Sequence, residues 1–301
     1  MIAPQYCKFM TDRKIEGLGV ALVTPFTKDL SIDFAALGNI IEHTLKGEAD
    51  YLVALGTTAE TPTLSNEEKQ RVATFISEKV DGKVPLVIGI GGNNTRKVVE
   101  KLQTFNLEGY DAVLSVTPYY NKPTQEGLFC HFKEICDNSP LPLILYNVPG
   151  RTGVNLTSRT TLRLAEYSPR IIAIKEASGN ISQCEEIINN SPETFNLISG
   201  DDALIAPLMQ RGASGIISVM ANALPVEVKN IVNLCKTKKF EEALKIQDYY
   251  NPLIGTLFEE GNPGGVKAML HQMGLCQNIL RLPLVKVSDN LENKIKKFLL
   301  S

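Results

Sequence analysis

From about residue 17 to residue 235, short apolar runs alternate with amphipathic stretches, the rhythm of βα units that build a parallel sheet. The runs predict strands at 18–24, 51–55, 85–90, 111–116, 141–146, 171–174, 195–199 and 215–219, roughly the eight that close a barrel. Between them lie helical patterns such as 33–46 and 66–80, with Asp33 and Ser65 placed to cap their N-termini. After Leu224 only helical patterns remain, at 240–260, 265–273 and 291–300. No Gly/Ser/Pro linker divides the chain. The expected fold is therefore α/β, a (β/α)8 TIM barrel over 17–235, with an N-terminal extension over 1–16 and a C-terminal helical appendix over 236–301. A doubly wound open sheet would need a nucleotide fingerprint at its first turn, and Thr24-Pro25-Phe26-Thr27 is not one.

Composition narrows the class. At 301 residues, 44% hydrophobic and 21% charged, the chain can bury a large core without disulfides or metals. A net charge of -2 and a pI near 6.0 give no reason to expect nucleic acid or an anionic membrane as partner. The basic clusters Lys236/Lys238/Lys239 and Lys294/Lys296/Lys297 read as solvated helix faces. Six cysteines without C-x2-4-C spacing argue against a zinc site and a disulfide framework, which points to a reduced cytoplasm. The early apolar stretch from Gly17 to Pro25 is too short to span a bilayer and reads as a first strand.

In a barrel the loops after the strands build the active site, so polar residues there carry the candidate chemistry. Four places qualify: Gly56-Thr57-Thr58-Ala59-Glu60-Thr61, Thr117-Pro118-Tyr119-Tyr120-Asn121, Tyr146-Asn147-Val148-Pro149-Gly150-Arg151, and Lys175-Glu176-Ala177-Ser178-Gly179. Lys175 leaves a buried apolar run for a partly dehydrated mouth, where a charged ammonium is disfavoured and a neutral amine can attack a ketone. The plain alternative is a lysine paired with Glu176. Tyr146 could move protons at such an amine, or be a half-buried rim tyrosine. Thr57 and Thr58 offer hydroxyls and backbone N–H groups suited to a carboxylate, or an ordinary capped turn. Arg151 could hold a second carboxylate bidentately, or lie on the surface. Tyr119-Tyr120 reads as an aromatic loop tip, fit for packing across a subunit boundary and delivering a hydroxyl to a neighbouring site.

Other constellations fail. His43, His131 and His271 lie in helical patterns without metal-ligand spacing, so no metal site is expected. Gly89-Ile90-Gly91-Gly92-Asn93 lacks the last glycine of a dinucleotide loop, and Gly261-Asn262-Pro263-Gly264-Gly265-Val266-Lys267 has the wrong spacing for a phosphate loop.

The four motifs, in this order, resemble the dihydrodipicolinate synthase and N-acetylneuraminate lyase superfamily of pyruvate-dependent class I aldolases, over about Gly17 to Pro283. The resemblance implies a (β/α)8 barrel in which Lys175 forms the imine without a cofactor and Tyr146 donates and accepts protons. Thr58 would bind the pyruvate carboxylate, Thr57 would complete a proton relay with Tyr120 of an adjacent subunit, and Gly200 and Ile217 would make backbone contacts around pyruvate. Arg151 looks like the arginine that recognises the carboxylate of L-aspartate 4-semialdehyde, which implies condensation of that aldehyde with pyruvate on the route to diaminopimelate and lysine. A homotetramer, a dimer of dimers, is the assembly implied.

Three departures stand out. Ala59 replaces a common glycine, so the loop must avoid a strongly positive φ there or absorb strain. Gly264-Gly265 stands where an Ile-Pro pair is frequent. The positions matching those that bind a lysine effector appear as Asn66, Lys69 and Lys97, and the charge of Lys97 implies weak or absent inhibition by lysine. Two other functions stay open: a lyase of a sugar-derived 2-oxo acid such as N-acetylneuraminate, and a noncatalytic barrel that binds a small acid.

Overall fold

A computed structural model describes residues 14–300; most of the expected extension over 1–16 lies outside them. Among the described residues the strands close a parallel barrel in sequence order, with β1 (Gly17–Ala21) hydrogen-bonded to both β2 (Tyr51–Ala54) and β8 (Gly215–Ser218). Between them run β3 (Leu86–Gly89), β4 (Ala112–Val116), β5 (Leu143–Asn147), β6 (Ile171–Glu176) and β7 (Asn196–Ser199). The outer layer is α1 (Phe34–Lys46), α2 (Asn66–Val80), α3 (Thr95–Thr104), α4 (Gln125–Asn138), the short α5 (Pro149–Thr152), α6 (Ser158–Tyr167), α7 (Ile181–Asn190), α8 (Ile205–Gln210) and α9 (Pro225–Lys236). Then α10 (Phe240–Phe258) packs on α8 and α9, and contacts α11 (Gly264–Gln272) and α12 (Asp289–Leu300).

Local chemistry sets the helix starts. Asp33 accepts from the N–H of Ala36 at 2.9 Å, and Ser65 with Glu68 forms a reciprocal capping box at the head of α2. The core has two parts, because alternate strand residues face opposite ways. Leu18, Leu52, Ile88 and Leu145 face the helices, whereas Val53, Val87, Ile144 and Ile217 fill the barrel interior. Tyr51 is fully buried in that interior, and a Cβ on Gly19 would fall 2.3 Å from its ring, so only glycine there leaves room for the phenol. Ile15, assigned by sequence to the extension, packs into this same interior cluster.

Several ends differ from the sequence expectation. β1 stops at Ala21, not at residue 24, because Val23 N–H turns to the side-chain Oδ1 of Asn222 (3.1 Å), whose Nδ2 in turn donates to Ala21 O (2.8 Å). β6 runs two residues past 174, since Lys175 and Glu176 continue the ladder to Tyr146 and Asn147. Gly265 lets α11 start against the end of α10: a Cβ there would lie 2.2 Å from Leu257 O, which rules out a larger pair at this junction. No helix among the described residues is long and apolar enough to cross a membrane.

Candidate active site

Two strand ends make the centre of the site. Tyr146 on β5 pairs in register with Lys175 on β6, and both side chains enter the barrel interior. Their successors, Asn147 and Glu176, therefore point to the helix layer. There Asn147 Nδ2 donates to both oxygens of Glu176 (3.2 and 2.9 Å), joined by Gln183 Nε2 (2.9 Å) and Ser178 N–H (2.7 Å). Neutral donors thus satisfy the buried Glu176 carboxylate on the far face of the sheet, and the simple pairing of Lys175 with Glu176 is excluded. Lys175 is 6% exposed, its Nζ lies 4.6 Å from the centroid of the Tyr146 ring, and it makes no hydrogen bond or salt bridge among the described residues. The Tyr146 hydroxyl is equally unengaged, at 7% exposure. Gly200, just after β7, completes this wall: a Cβ there would sit 3.0 Å from Lys175 Cε and 2.7 Å from Ala177 Cβ. Glycine leaves room for the lysine stem. Ile217 lies on the interior face of β8, fully buried.

The loop after β2 forms two short 3-10 turns, Thr57–Ala59 and Thr61–Thr63. Ala59 is within the first turn, and the left-handed residue is its neighbour Glu60 (φ 53). The positive φ falls on Glu60 and not on Ala59, so the alanine carries no left-handed strain. Thr58 is buried, and its hydroxyl accepts from Asn262 Nδ2 at 3.0 Å. Thr57 is exposed at the cavity wall.

What holds this loop was not visible in the sequence. Glu60, 1% exposed, forms a buried ion pair with the fully buried Lys267 of α11, and its other oxygen accepts from Arg281 N–H at 3.0 Å. Lys267 Nζ also donates to Ile279 O (2.9 Å) and lies 4.2 Å from the Phe26 ring centroid. Burial pulls its ammonium below the usual lysine range while Glu60 opposes that shift. Arg281 binds Glu68 with two nitrogens, at 2.6 and 2.8 Å, and so fastens the start of α2. The only available signal was a lysine inside the apolar run Gly265-Val266-Lys267-Ala268-Met269-Leu270.

The mouth opens into a cavity of about 410 Å³ lined by Thr57, Tyr146, Val148 and Arg151 and reaching Lys69 and Lys101. Arg151 sits on α5, exposed, and its guanidinium has no partner among the described residues. Thr152 beside it fixes the turn, accepting from Thr117 Oγ1 (3.2 Å) and donating to Val154 O (3.0 Å). Tyr119 lines the cavity, but Tyr120 is 86% exposed, holds φ 73 and does not line that cavity. Lys69 borders the cavity; Lys97 is exposed elsewhere on α3, and Lys101, one turn further, takes the wall position. His131 is buried in α4, where burial pushes it down to about 4, and it has no place in the site.

The sequence profile of the Dihydrodipicolinate synthetase family matches residues 14–301. A 4-hydroxy-tetrahydrodipicolinate synthase of Parabacteroides distasonis is 51% identical over 290 residues, covering 96% of this chain and 98% of that protein. The crystal structure of dihydrodipicolinate synthase from Aquifex aeolicus superposes with a TM-score of 0.91 at 39% identity, covering 95% of this chain and 97% of the other. A solved structure described as the first monomeric dihydrodipicolinate synthase variant gives 0.92 at 36% identity, with 95% and 96% covered.

Proposed function

The chain belongs to the dihydrodipicolinate synthetase family, and from that membership and the site geometry we propose how it works as a lyase that condenses pyruvate with L-aspartate 4-semialdehyde to 4-hydroxy-tetrahydrodipicolinate. The observation that carries the mechanism is an amine without an acid partner, buried at a barrel mouth beside a phenol.

The lone pair of Lys175 Nζ attacks C2 of pyruvate, and the resulting carbinolamine loses water to give an imine. Tyr146, whose hydroxyl is unengaged, delivers the proton to the departing oxygen. Loss of a C3 proton gives an enamine. Its C3 attacks the aldehyde carbon of the semialdehyde, and the aldehyde oxygen takes a proton. The adduct's own amine then attacks C2, closes the ring and expels Lys175. One water leaves, and no redox partner or cofactor is needed.

Thr58 binds the pyruvate carboxylate. Because its oxygen already accepts from Asn262 Nδ2, the hydroxyl proton is free to donate to an anion. The unpaired Arg151 takes the carboxylate of the semialdehyde, which favours this aldehyde over a neutral sugar-derived acceptor. Backbone at Gly200 and Ile217 lines the pyruvate position.

Tyr120 supplies its hydroxyl to the Thr57 relay of an adjacent subunit. Its exposure and left-handed backbone support this, since a strained, outward aromatic needs a partner surface to hold it. A homotetramer built from such dimers is the assembly we infer, although a related structure is described as monomeric. We place the enzyme in the cytoplasm, where its free cysteines stay reduced; burial raises Cys184 to about 12 and Cys235 and Cys276 to about 11, keeping those thiols inert.

Borohydride trapping with pyruvate, followed by peptide mass mapping, tests the mechanism. The expected product is a reduced pyruvate adduct on Lys175 alone. Unmodified protein, or an adduct on another lysine, overturns it.

A further inference from the structure

Thr58 takes its one side-chain partner from the C-terminal helices. Asn262 lies in the turn between α10 and α11, and its Nδ2 donates to Thr58 Oγ1 at 3.0 Å across 204 positions of sequence. The other half of that amide is idle. Asn262 is 8% exposed, and its Oδ1 is buried with no hydrogen-bond partner among the described residues. Buried side-chain amides are ordinarily satisfied at both ends, because an unpaired acceptor loses its water and gains nothing in return. Turning the amide over would bury two unpartnered N–H bonds in place of one oxygen, which is worse. For stability alone, an apolar side chain of similar size would serve this position as well or better. What the asparagine supplies and an apolar residue does not is the single contact to Thr58.

We infer that Asn262 is a positioning residue for pyruvate: its amide fixes the rotation of the Thr58 hydroxyl so that the proton is presented to the incoming carboxylate. This rests on the pyruvate chemistry proposed for the site. A threonine hydroxyl carries one proton and two lone pairs and turns to suit its surroundings. With Nδ2–H on one lone pair, the rotation that aims the hydroxyl proton at Asn262 is closed, since two hydrogens would meet there. Thr58 is 2% exposed, and no acceptor for its proton is found among the described residues. The donor is thus turned before the anion arrives, and binding spends nothing on reorienting it. The same segment grips the loop a second time. Lys267 N–H donates to Pro263 O at 2.9 Å in the first turn of α11, and Lys267 Nζ reaches Glu60, two residues beyond Thr58. The Glu60 contact sets where the loop lies, and the Asn262 contact sets which way one hydroxyl points. The helical appendix thereby belongs to the pyruvate site.

Borohydride trapping titrated against pyruvate tests this on the full-length protein without the semialdehyde. The quantity read is the pyruvate concentration that gives half the maximal adduct on Lys175. Asn262→Leu removes the donor and the idle acceptor together, so its urea midpoint should equal or exceed that of the wild type while half-saturating pyruvate rises about tenfold. A merely structural asparagine would not divide the two readouts in this way. Asn262→Asp keeps the shape and reverses the bond, because a carboxylate accepts the Thr58 proton; half-saturation should rise above that of the leucine variant. In Thr58→Val, which has no hydroxyl to turn, Asn262→Leu should add no further shift. Wild-type protein that gives no adduct overturns the proposed reaction and this inference with it. A wild type that traps pyruvate beside a folded Asn262→Leu with the same half-saturation overturns this inference alone, and so does a tenfold shift that persists in the Thr58→Val background. Should Asn262→Leu fail to fold, Asn262→Asp decides the matter, and half-saturation at the wild-type concentration refutes the role.

Discussion

Replacing Lys267 with methionine should be among the most damaging single changes in the chain, although the residue is nowhere near a reacting atom. The substitution keeps most of the aliphatic volume and deletes one charge from a site with no exposure. Glu60 is then left 1% exposed with Arg281 N–H as its remaining donor, and Ile279 O loses its partner. An uncompensated buried charge of this kind costs about 3–5 kcal/mol. The chain has no tryptophan, so unfolding is best followed by far-ultraviolet circular dichroism in urea, where the midpoint should fall by about 1–2 M. Adding Glu60→Gln removes the orphaned charge and keeps an acceptor for Arg281, so the double variant should recover at least about 2 kcal/mol of the loss. Release of Glu60 from its left-handed conformation frees the Thr57–Ala59 turn, so the pyruvate KM of Lys267→Met should rise more than kcat falls. A single-variant loss under about 1 kcal/mol, or a double variant no more stable than Lys267→Met, would refute the view that this pair fastens the loop.

Arg151→Ala should raise the semialdehyde KM by about 10–100-fold with little change for pyruvate, as expected for one lost charged contact; equal effects in steady-state assays would move the arginine off that substrate. Gly200→Ala places a methyl 3.0 Å from Lys175 Cε and 2.7 Å from Ala177 Cβ, and should slow single-turnover imine formation by about 10–100-fold. Arg281 holds Glu68 down to about 2, below its ordinary 4.5, so its contribution is complete above the ordinary value and is lost as pH falls toward 2. By pH 3 the native protein should have lost about 2 kcal/mol that Glu68→Gln, already lacking it at pH 7, does not lose, measured by urea midpoints. Free lysine should inhibit weakly or not at all; half-inhibition below about 1 mM would contradict the charge argument at Lys97.

The sequence by itself pointed to the barrel, because eight apolar runs separated by amphipathic helices bury both strand faces in a closed barrel or a doubly wound sheet, and the first turn lacks the nucleotide fingerprint of the second. It also gathered the candidate site residues at one mouth, since residues at the C-terminal ends of such runs surface there. Lys175 and Tyr146 were legible as neighbours because both end adjacent strands, and the structure pairs them in register. Tertiary structure alone decided what those residues face. Alternation along β6 sends Glu176 away from Lys175, a distinction of one position that no run of apolar letters encodes. The clamp of Glu60, Lys267 and Arg281 joins positions more than 200 residues apart, and Lys101 rather than Lys97 reaches the cavity by one helical turn. Periodicity reports which face of an element is apolar. Which partner meets that face, and which buried charge finds a counter-charge, depends on packing between elements distant along the chain.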